Sequence, residues 1–219
     1  MDNVAIVIGA TGLVGCALTD HLANADHIRR VVTLTRRPAM HPSPNVENRV
    51  VNFDRLEDDA AFFQADLLFS CLGTTRKQAG SIDAQRKVDL DYQYRAARLA
   101  ANNGVRHYLL VSSSGAGAGS INPYLRMKGE LEHKVQGLPF ERISIFQPSL
   151  LLGKRSESRP GETLGSLILP ILCAVPGLRR YRPIRGEAVA AKMVQVSRQP
   201  GPPREWFKLD EIFLTSAHP

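Results

Sequence analysis

Short apolar segments alternate with longer amphipathic segments over the first two thirds of the chain. Residues 4–8, 31–35 and 107–111 are runs of β-branched and other apolar side chains, a pattern typical of strands buried on both faces. Leu13 begins a segment whose apolar residues recur at helical spacing, and residues 83–103 predict a long helix that ends before Gly104. Three further strands are predicted at residues 46–53, 66–72 and 140–147.

This alternation predicts one α/β domain, because a strand, a helix and a second strand form a right-handed unit of a parallel sheet. The expected fold is a Rossmann-like, doubly wound parallel sheet with a small C-terminal substrate portion. We expect residues 1–152 to form the dinucleotide-binding core. The regular alternation ends there, and residues 153–219 are expected to form a substrate or lid portion of the same domain.

The composition is that of a soluble globular protein. Of the 219 residues, 43% are hydrophobic and 22% are charged. No segment holds the roughly 18 uninterrupted apolar residues that a membrane span needs. The N-terminus has no basic region ahead of its first apolar run, so we expect a cytoplasmic protein. The three cysteines are far apart and lack metal-ligand spacing, which predicts buried thiols in a reducing compartment and no metal site.

The net charge of +7 raises the question of an anionic partner. Two local clusters stand out from otherwise dispersed basic residues: Arg36 with Arg37, and Arg179, Arg180, Arg182 and Arg185. No basic run is interleaved with aromatic residues, which argues against nucleic-acid binding and favours a small-molecule substrate. The second cluster is either a solvated rim or a surface that attracts an acidic ligand.

A glycine-rich turn lies between the first predicted strand and the first predicted helix. Gly9, Gly12 and Gly15 form the pattern G-x-x-G-x-x-G, which differs from the G-x-G-x-x-G dinucleotide fingerprint. Small residues there let the backbone approach a pyrophosphate, and the helix N-terminus supplies free N–H groups. The turn therefore predicts dinucleotide binding, although a plain strand-to-helix turn with tight packing would use the same glycines.

The ends of the second and third predicted strands bear on which dinucleotide is bound. NAD-binding proteins place a carboxylate after the second strand, where it binds the ribose hydroxyls. This chain has Arg36 and Arg37 there, and guanidinium groups suit a 2′-phosphate, so NADP(H) is expected over NAD(H). Asp54, after the third strand, is placed to meet the adenine amino group or to act as a capping residue.

Tyr124 and Lys128 are one helical turn apart and share a face of the helix that Asn122 and Pro123 begin. A nearby ammonium favours the phenolate, so a tyrosine whose ordinary pKa is about 10 becomes usable for proton transfer. A hydroxyl from the preceding run of serines would hold and polarise a carbonyl oxygen. The alternative is a surface tyrosine stacked on a lysine side chain.

These motifs resemble the atypical short-chain dehydrogenases/reductases, and among them the NmrA-like group that includes the HIV Tat-interacting-protein oxidoreductases. The resemblance covers about residues 3–161. It includes the glycine turn, the two arginines after the second strand, the serine run and the Tyr124/Lys128 pair. Its narrowest signatures are residues 71–76, which read Cys-Leu-Gly-Thr-Thr-Arg, and the arginine-bearing loop at residues 155–161.

The resemblance implies a role for each matching position. The pyrophosphate would be surrounded by Thr11, Gly12, Leu13 and Val14, and the 2′-phosphate would be bound by Arg36 and Arg37. The other cofactor-binding positions would be Leu72, Gly73, Leu151 and Arg159. Tyr124 would donate or accept the proton with Lys128 as its partner, and either Ser113 or Ser114 would hold the carbonyl. One departure follows the sixth strand, where relatives often carry Arg-Pro-Gly and this chain has Gln147, Pro148 and Ser149.

The sequence thus predicts an NADP(H)-dependent oxidoreductase that transfers hydride to or from the carbonyl or alcohol carbon of a small, partly apolar substrate. The alternative is a protein that binds the dinucleotide without turnover and acts as a redox sensor through partner proteins, as some NmrA-like relatives do. Tyr124 and Lys128 favour chemistry, since a sensor does not need them. The substrate, the direction of reaction, and a homodimer or regulatory protein partner stay open.

Overall fold

The computed structural model describes residues 2–152 and 179–213. Within these residues lies a seven-stranded sheet in which all neighbouring strands are parallel. Its strands are β1 (Asn3–Ile8), β2 (Ile28–Thr35), β3 (Val46–Val50), β4 (Leu67–Ser70), β5 (His107–Val111), β6 (Arg142–Gln147) and β9 (Arg204–Lys208). A separate parallel pair is formed by β7 (Leu151–Leu152) and β8 (Ile184–Arg185).

The strand order in the large sheet is β3-β2-β1-β4-β5-β6-β9. The chain winds outward from β1 to β3, returns to the other side of β1 with β4, and continues outward from there. In such a sheet, ligands bind beyond the carboxyl ends of the strands, near the point where the winding reverses. The Rossmann-like fold class predicted from the sequence is confirmed, and the reversal lies between β1 and β4.

Helices cover both faces of this sheet. The α-helices within the described residues are α1 (Leu13–Ala23), α2 (Arg76–Ala79), α3 (Ile82–Arg86), α4 (Tyr92–Asn102), α5 (Pro123–Gln136) and α6 (Gly186–Arg198). Helices α1 and α6 pack on one face, where the core includes Ala5 and Val7 of β1. Helices α4 and α5 pack on the other face with Ile6 and Ile8 of the same strand. Successive residues of β1 therefore enter opposite cores, which explains its continuous apolar sequence.

Several element boundaries differ from the sequence-based expectation. The third strand ends at Val50, and a 3-10 segment at Phe53–Phe63 follows it. The long helix predicted at residues 83–103 contains a π-helical segment, Lys87–Asp91, between α3 and α4. Strand β9 shows that residues after 178 complete the large sheet. The division into residues 1–152 and 153–219 stays a prediction.

The cysteines do not all follow the expectation of buried thiols. Cys16 is exposed on α1, so the expectation is wrong for that residue, whereas Cys71 is half-buried after β4. Cys173 lies outside the described residues. Across residues 2–152 and 179–213, no helix is long and apolar enough to cross a membrane.

A buried polar network joins β5, β6 and β9 at the amino ends of these strands. His107 Nε2 lies 2.7 Å from Ser144 Oγ, and that hydroxyl donates to Glu205 Oε1 at 2.5 Å. Because the only hydroxyl proton of Ser144 goes to Glu205, His107 Nε2 must carry the proton that it donates to Ser144. Arg142 Nε also donates to Glu205 Oε1, at 2.8 Å. This end of the sheet is opposite to the carboxyl ends, so His107 has a structural role.

Burial, followed by the charge of Arg142, lowers the pKa of His107 to about 3 from its usual value near 6.5. A group with a lowered pKa stabilises the fold above its unfolded-state pKa, and this contribution is lost as the pH falls toward the folded-state value. Acidification from pH 7 to pH 4 should lower the free energy of unfolding of the wild-type protein. We expect this decrease to exceed that of His107→Gln by about 2–4 kcal/mol. Urea unfolding at several pH values would measure this. His133→Gln, at an exposed position of α5, serves as the control, and equal pH slopes in all three proteins would contradict the expectation.

Candidate functional site

A cleft of about 1580 Å³ opens at the carboxyl ends of the central strands. Four segments contribute most of its wall: the turn after β1, the loop after β4, the serine run after β5 and the residues after β6. The N-terminal parts of α5 and α6 close its sides with Tyr124, Lys128 and Glu187 among others. The cleft therefore lies where a doubly wound sheet is expected to bind its ligand.

The glycine turn brings backbone against backbone at two positions. Gly9 has a φ of +79°, and a Cβ built there would lie 2.5 Å from the carbonyl carbon of Cys71. A Cβ built on Gly15 would lie 2.1 Å from the carbonyl oxygen of Gly9. Real Cβ atoms do not approach other atoms so closely, so both positions require glycine. The turn is thus packed tightly between β1, β4 and α1.

The first turn of α1 is available to an anion. Its N-cap is Gly12, which has no side chain to satisfy the first helical N–H groups, and no acidic residue lies in the first turn. Gly12 itself donates its N–H to the carbonyl of Gly9 at 3.0 Å, which fixes the turn. Helix N-termini carry a partial positive charge in addition to their free N–H groups. Thr11, Gly12, Leu13 and Val14 all line the cleft at this point.

Tyr124 and Lys128 lie on the face of α5 that borders the cleft. Asn122 caps this helix, since its side-chain oxygen accepts the N–H groups of Tyr124 and Leu125 at 2.9 and 3.3 Å. Lys128 Nζ lies 6.0 Å from the centre of the Tyr124 ring. Tyr124 is half-buried, and its hydroxyl makes no hydrogen bond within residues 2–152 and 179–213. The predicted pair is therefore brought together beside the cleft, with the phenol group free to meet a ligand.

Lys128 is almost completely buried, and its ammonium faces a carboxylate. Its Nζ lies 3.2 Å from Asp89 Oδ1, and the side chains are 3% and 0% exposed. Burial alone lowers the pKa of Lys128, but the nearby Asp89 and Tyr124 outweigh this effect and the pKa is raised. Lys128 is consequently a cation at neutral pH. Asp89 was not predicted as a site residue, and only its position between the apolar residues Val88 and Leu90 could have indicated it.

The serine run is held in place by the neighbouring strand. Ser112 donates its N–H to Phe146 at 2.7 Å, and Ser114 donates its N–H to Pro148 at 2.9 Å. These bonds continue the pairing of β5 with β6 beyond the ends of the strands. Ser113 and Ser114 both line the cleft and are half-buried, and neither hydroxyl is engaged within the described part of the chain. The geometry thus leaves both of these serines as candidates.

The Ser112 hydroxyl, by contrast, forms a hydrogen bond with a buried carboxylate. Its hydroxyl donates to Glu132 Oε1, and Gln147 Nε2 lies 3.0 Å from both carboxylate oxygens. Glu132 follows Lys128 by one further turn of α5 and is 7% exposed. Gln147 stands at the departure from the Arg-Pro-Gly pattern, so in this chain an amide faces Glu132. This contact anchors the base of the serine run to α5.

The adenosine end of the predicted site is a separate depression of about 390 Å³, which Arg36 and Asp54 line together with Tyr92. Asp54 is already engaged: Lys87 Nζ lies 2.6 Å from its Oδ1, and Tyr92 donates to the same oxygen at 2.8 Å. The bond from Lys87, followed by that from Tyr92, holds the pKa of Asp54 below its usual value. Arg37 is exposed and lines neither this depression nor the large cleft.

The structure brings most of the predicted residues to one cleft. Those lining it are Thr11, Gly12, Leu13, Val14, Leu72, Gly73, Ser113, Ser114, Tyr124, Lys128 and Leu151. Gly9 and Gly15 support the turn from behind through the close contacts described above. Arg36 and Asp54 lie together in the smaller depression, and Arg159 lies outside the described residues.

Some lining residues had no sequence-based prediction of a role in the site. They include Gln85, Tyr181, Gly186 and Glu187. Gly186 packs against the N-terminus of α1, since a Cβ built there would lie 2.7 Å from Leu13 Cγ. No local motif marks Gly186 and Glu187, because they reach the cleft through the packing of α6 on α1.

The comparisons with known proteins identify the family of this chain. Residues 9–138 match a family model described as NAD(P)H-binding. The rat protein HTATIP2 is 41% identical over 169 residues, which cover 75% of this chain and 69% of that protein. The mitochondrial fmp52 protein of Aspergillus fumigatus is 39% identical over 171 residues, which cover 74% of this chain and 72% of that protein. Because the fungal relative is named mitochondrial, the cytoplasmic location stays a prediction.

Solved structures show the same fold at low sequence identity. MoeE5 in complex with UDP-glucuronic acid and NAD has a TM-score of 0.70 and 15% identity, and the match covers 95% of this chain and 76% of that chain. WbmH of Bordetella bronchiseptica, in complex with NAD+, has a TM-score of 0.69 and 14% identity. The match covers 95% of this chain and 75% of that chain. The family model and the curated relatives go further than the fold: this chain belongs to the NAD(P)H-binding family, in the subgroup of the Tat-interacting protein and the fungal Fmp52 proteins.

Proposed function

We propose that this protein is an NADP(H)-dependent oxidoreductase acting on the carbonyl or alcohol carbon of a small substrate. One observation carries the proposal: Tyr124, Lys128 and the serine run line the same cleft as the glycine turn. Groups suited to moving a proton therefore face the same cavity as groups suited to holding a pyrophosphate.

The residues present fit a dinucleotide. The turn at Gly9 and Gly15 has no room for side chains, so only glycine lets it pack this closely beside the cleft where a pyrophosphate would be held. The first turn of α1 has no side-chain cap, and the N–H groups of Leu13, Val14 and Gly15 make no hydrogen bond within the described residues, so they are open to an anion. Arg36 in the smaller, separate depression supplies positive charge suited to a 2′-phosphate.

When bound, NADPH supplies the hydride, and the chain supplies the proton and the alignment. In the reducing direction, the Tyr124 hydroxyl would donate its proton to the carbonyl oxygen of the substrate. The Lys128 ammonium would then stabilise the resulting phenolate. Ser113 or Ser114 would donate a hydrogen bond to the same oxygen and orient the carbonyl. In the oxidising direction, the phenolate would accept the alcohol proton instead.

The walls of the cleft favour a partly apolar substrate. Leu150, Leu151 and Leu152 line it beyond the serine run, and Ile82 and Tyr181 lie on other parts of its wall. Leu150 is 58% exposed and adds an accessible apolar side chain to this wall. We therefore propose a small carbonyl compound with an apolar portion as the substrate class.

A binding protein without turnover is the second candidate, and the Asp89 contact favours it. The Asp89 carboxylate, 3.2 Å from Lys128 Nζ, offsets part of the positive charge that the ammonium presents to Tyr124. In this second role, the cleft would report the ratio of oxidised to reduced dinucleotide to a partner protein.

Two measurements on the purified protein separate these roles. Isothermal titration calorimetry with NADPH and NADH tests cofactor binding, and loss of absorbance at the reduced nicotinamide band tests turnover with a panel of aldehydes and ketones. We expect binding together with steady NADPH consumption on apolar members of the panel. Tight binding with no consumption on any member would favour the sensor role, and binding of neither dinucleotide would overturn both roles.

A further inference from the structure

The most completely buried ion pair among the described residues lies at the edge of the cleft. Of the ion pairs in those residues, that between Lys128 and Asp89 has both side chains at 3% exposure or less. The next most buried pair, Arg142 with Glu205, has exposures of 13% and 14%. A buried pair of this kind contributes little to stability as a whole, because removing two charges from water is costly. Its presence beside Tyr124 therefore indicates a role other than stability.

Asp89 is held rigidly from two directions. Its Oδ2 accepts the N–H of Thr74 at 3.0 Å, and Thr74 belongs to the loop that lines the cleft after β4. Gln93 Nε2 donates to the backbone carbonyl of Asp89 at 2.9 Å, while Gln93 Oε1 accepts from Ser70 at 2.7 Å. Neither the carboxylate nor its backbone can move without breaking buried hydrogen bonds.

The local helix geometry also points to function. Asp89 lies at the centre of the π-helical segment Lys87–Asp91, which interrupts the helical stretch between α3 and α4. Short π-helical segments are rare and frequently occur at functional sites, because they shift the side chains on one face of the helix. Here the segment carries the carboxylate that reaches Lys128 on α5.

The titratable groups that face Lys128 Nζ are Asp89, Tyr124 and Cys71. Cys71 is partly exposed as a residue, but its thiol is enclosed, and burial raises the pKa of that thiol to about 12. Cys71 is therefore uncharged at neutral pH. Tyr124 is the proposed proton donor, and its phenolate is the group that the Lys128 ammonium would stabilise. Among the described residues, Asp89 is thus the only anion that can offset the cost of burying the ammonium.

We propose that Asp89 is a positioning residue: its carboxylate keeps the Lys128 ammonium charged and fixed beside Tyr124, and ties it to the cleft wall at Thr74. This role rests on the proposed oxidoreductase function. Without Asp89, the buried lysine would lose its proton at a lower pH, as buried lysines without an anionic partner do. Tyr124 would then lose its neighbouring positive charge within the range in which enzymes operate.

Asp89→Asn tests this role with little change of shape. The asparagine oxygen can still accept the N–H of Thr74, so the loop keeps its anchor while the negative charge is removed. Asp91→Asn is the matched control, because Asp91 lies in the same π-helical segment but is exposed. Lys128→Arg identifies the signal of Lys128 in spectra of protein with carbon-13 at the lysine Cε.

We expect the Cε signal of Lys128 to titrate at least about two pH units lower in Asp89→Asn than in the wild-type protein or in Asp91→Asn. This readout needs neither cofactor nor substrate, so it remains informative if the protein proves to be a sensor. An unchanged titration in Asp89→Asn would overturn the proposal. Where turnover is measurable, the pH profile of kcat in Asp89→Asn should show an additional ionisation at the pH found by NMR. A pH profile identical in shape to that of the wild-type protein would also overturn the proposal.

If Asp89→Asn does not fold, the double variant Asp89→Asn/Lys128→Met decides the matter. Removing both charges leaves no orphaned ammonium, so the double variant should melt close to the wild-type temperature. A double variant that also fails to fold would show that Asp89 acts through packing alone, which would overturn the proposal.

Discussion

Tyr124→Phe is expected to lower kcat by about 10²–10⁴-fold, the range that a positioned proton donor contributes, while the dissociation constant for NADPH stays nearly unchanged. The substitution removes only the hydroxyl, which makes no hydrogen bond in the described residues, and keeps the half-buried ring on α5. The loss should therefore fall on the chemical step and leave folding and cofactor binding intact. Steady-state rates of NADPH oxidation and calorimetry on the same preparation measure the two quantities.

The chain offers a matched control for this substitution. Tyr94 on α4 lies beside Lys134 on α5, with the ammonium 5.1 Å from the ring centre, in a pairing similar to that of Tyr124 and Lys128 but away from the cleft. Tyr94→Phe should leave kcat unchanged. Equal losses in the two variants would indicate a general effect of removing a stacked phenol, and full activity in Tyr124→Phe would remove Tyr124 from the mechanism.

The parts of the fold that sequence predicted well are those with local signals. β1 is a continuous apolar strand because its alternate residues enter two different cores, and its pattern is visible without knowledge of the fold. Asn122 and Pro123 specify the start of α5 through their own side chains, and the observed cap agrees with the prediction. β9 was not placed in the sheet from the sequence, because its position beside β6 depends on contacts with residues far away in the chain.

The site was predicted as a set of motifs, and the structure adds the contacts between them. Gly129, next to Lys128, shows what sequence could not reveal: a Cβ there would lie 2.2 Å from the carbonyl carbon of Gly117. The loop after the serine run is therefore packed directly on the backbone of α5. Asp89 is similar, since its importance arises only when the π-helical segment and α5 are brought together in three dimensions.

Arg36→Ala/Arg37→Ala is expected to raise the dissociation constant for NADPH by about 10- to 100-fold, because hydrogen bonds to charged groups contribute about 1.5–3 kcal/mol. The dissociation constant for NADH should stay the same, since NADH lacks the 2′-phosphate. Neither arginine forms an ion pair with a carboxylate in the described residues, so both guanidiniums are available to a ligand. Calorimetric titrations with both dinucleotides, at one fixed ionic strength, measure the change.

The charges that line the depression support a loss of NADPH affinity in this variant. Asp54 would repel a phosphate, but Lys87 lies 2.6 Å from its carboxylate and offsets that charge, which leaves Arg36 as an uncompensated cation. Arg29→Ala/Arg30→Ala is the matched control, because it removes two charges from the opposite end of β2. It should affect both dinucleotides equally and only slightly. If the Arg36/Arg37 variant weakened NADH as much as NADPH, the arginines would act through the turn after β2, and the preference for NADP(H) would have to come from elsewhere in the chain.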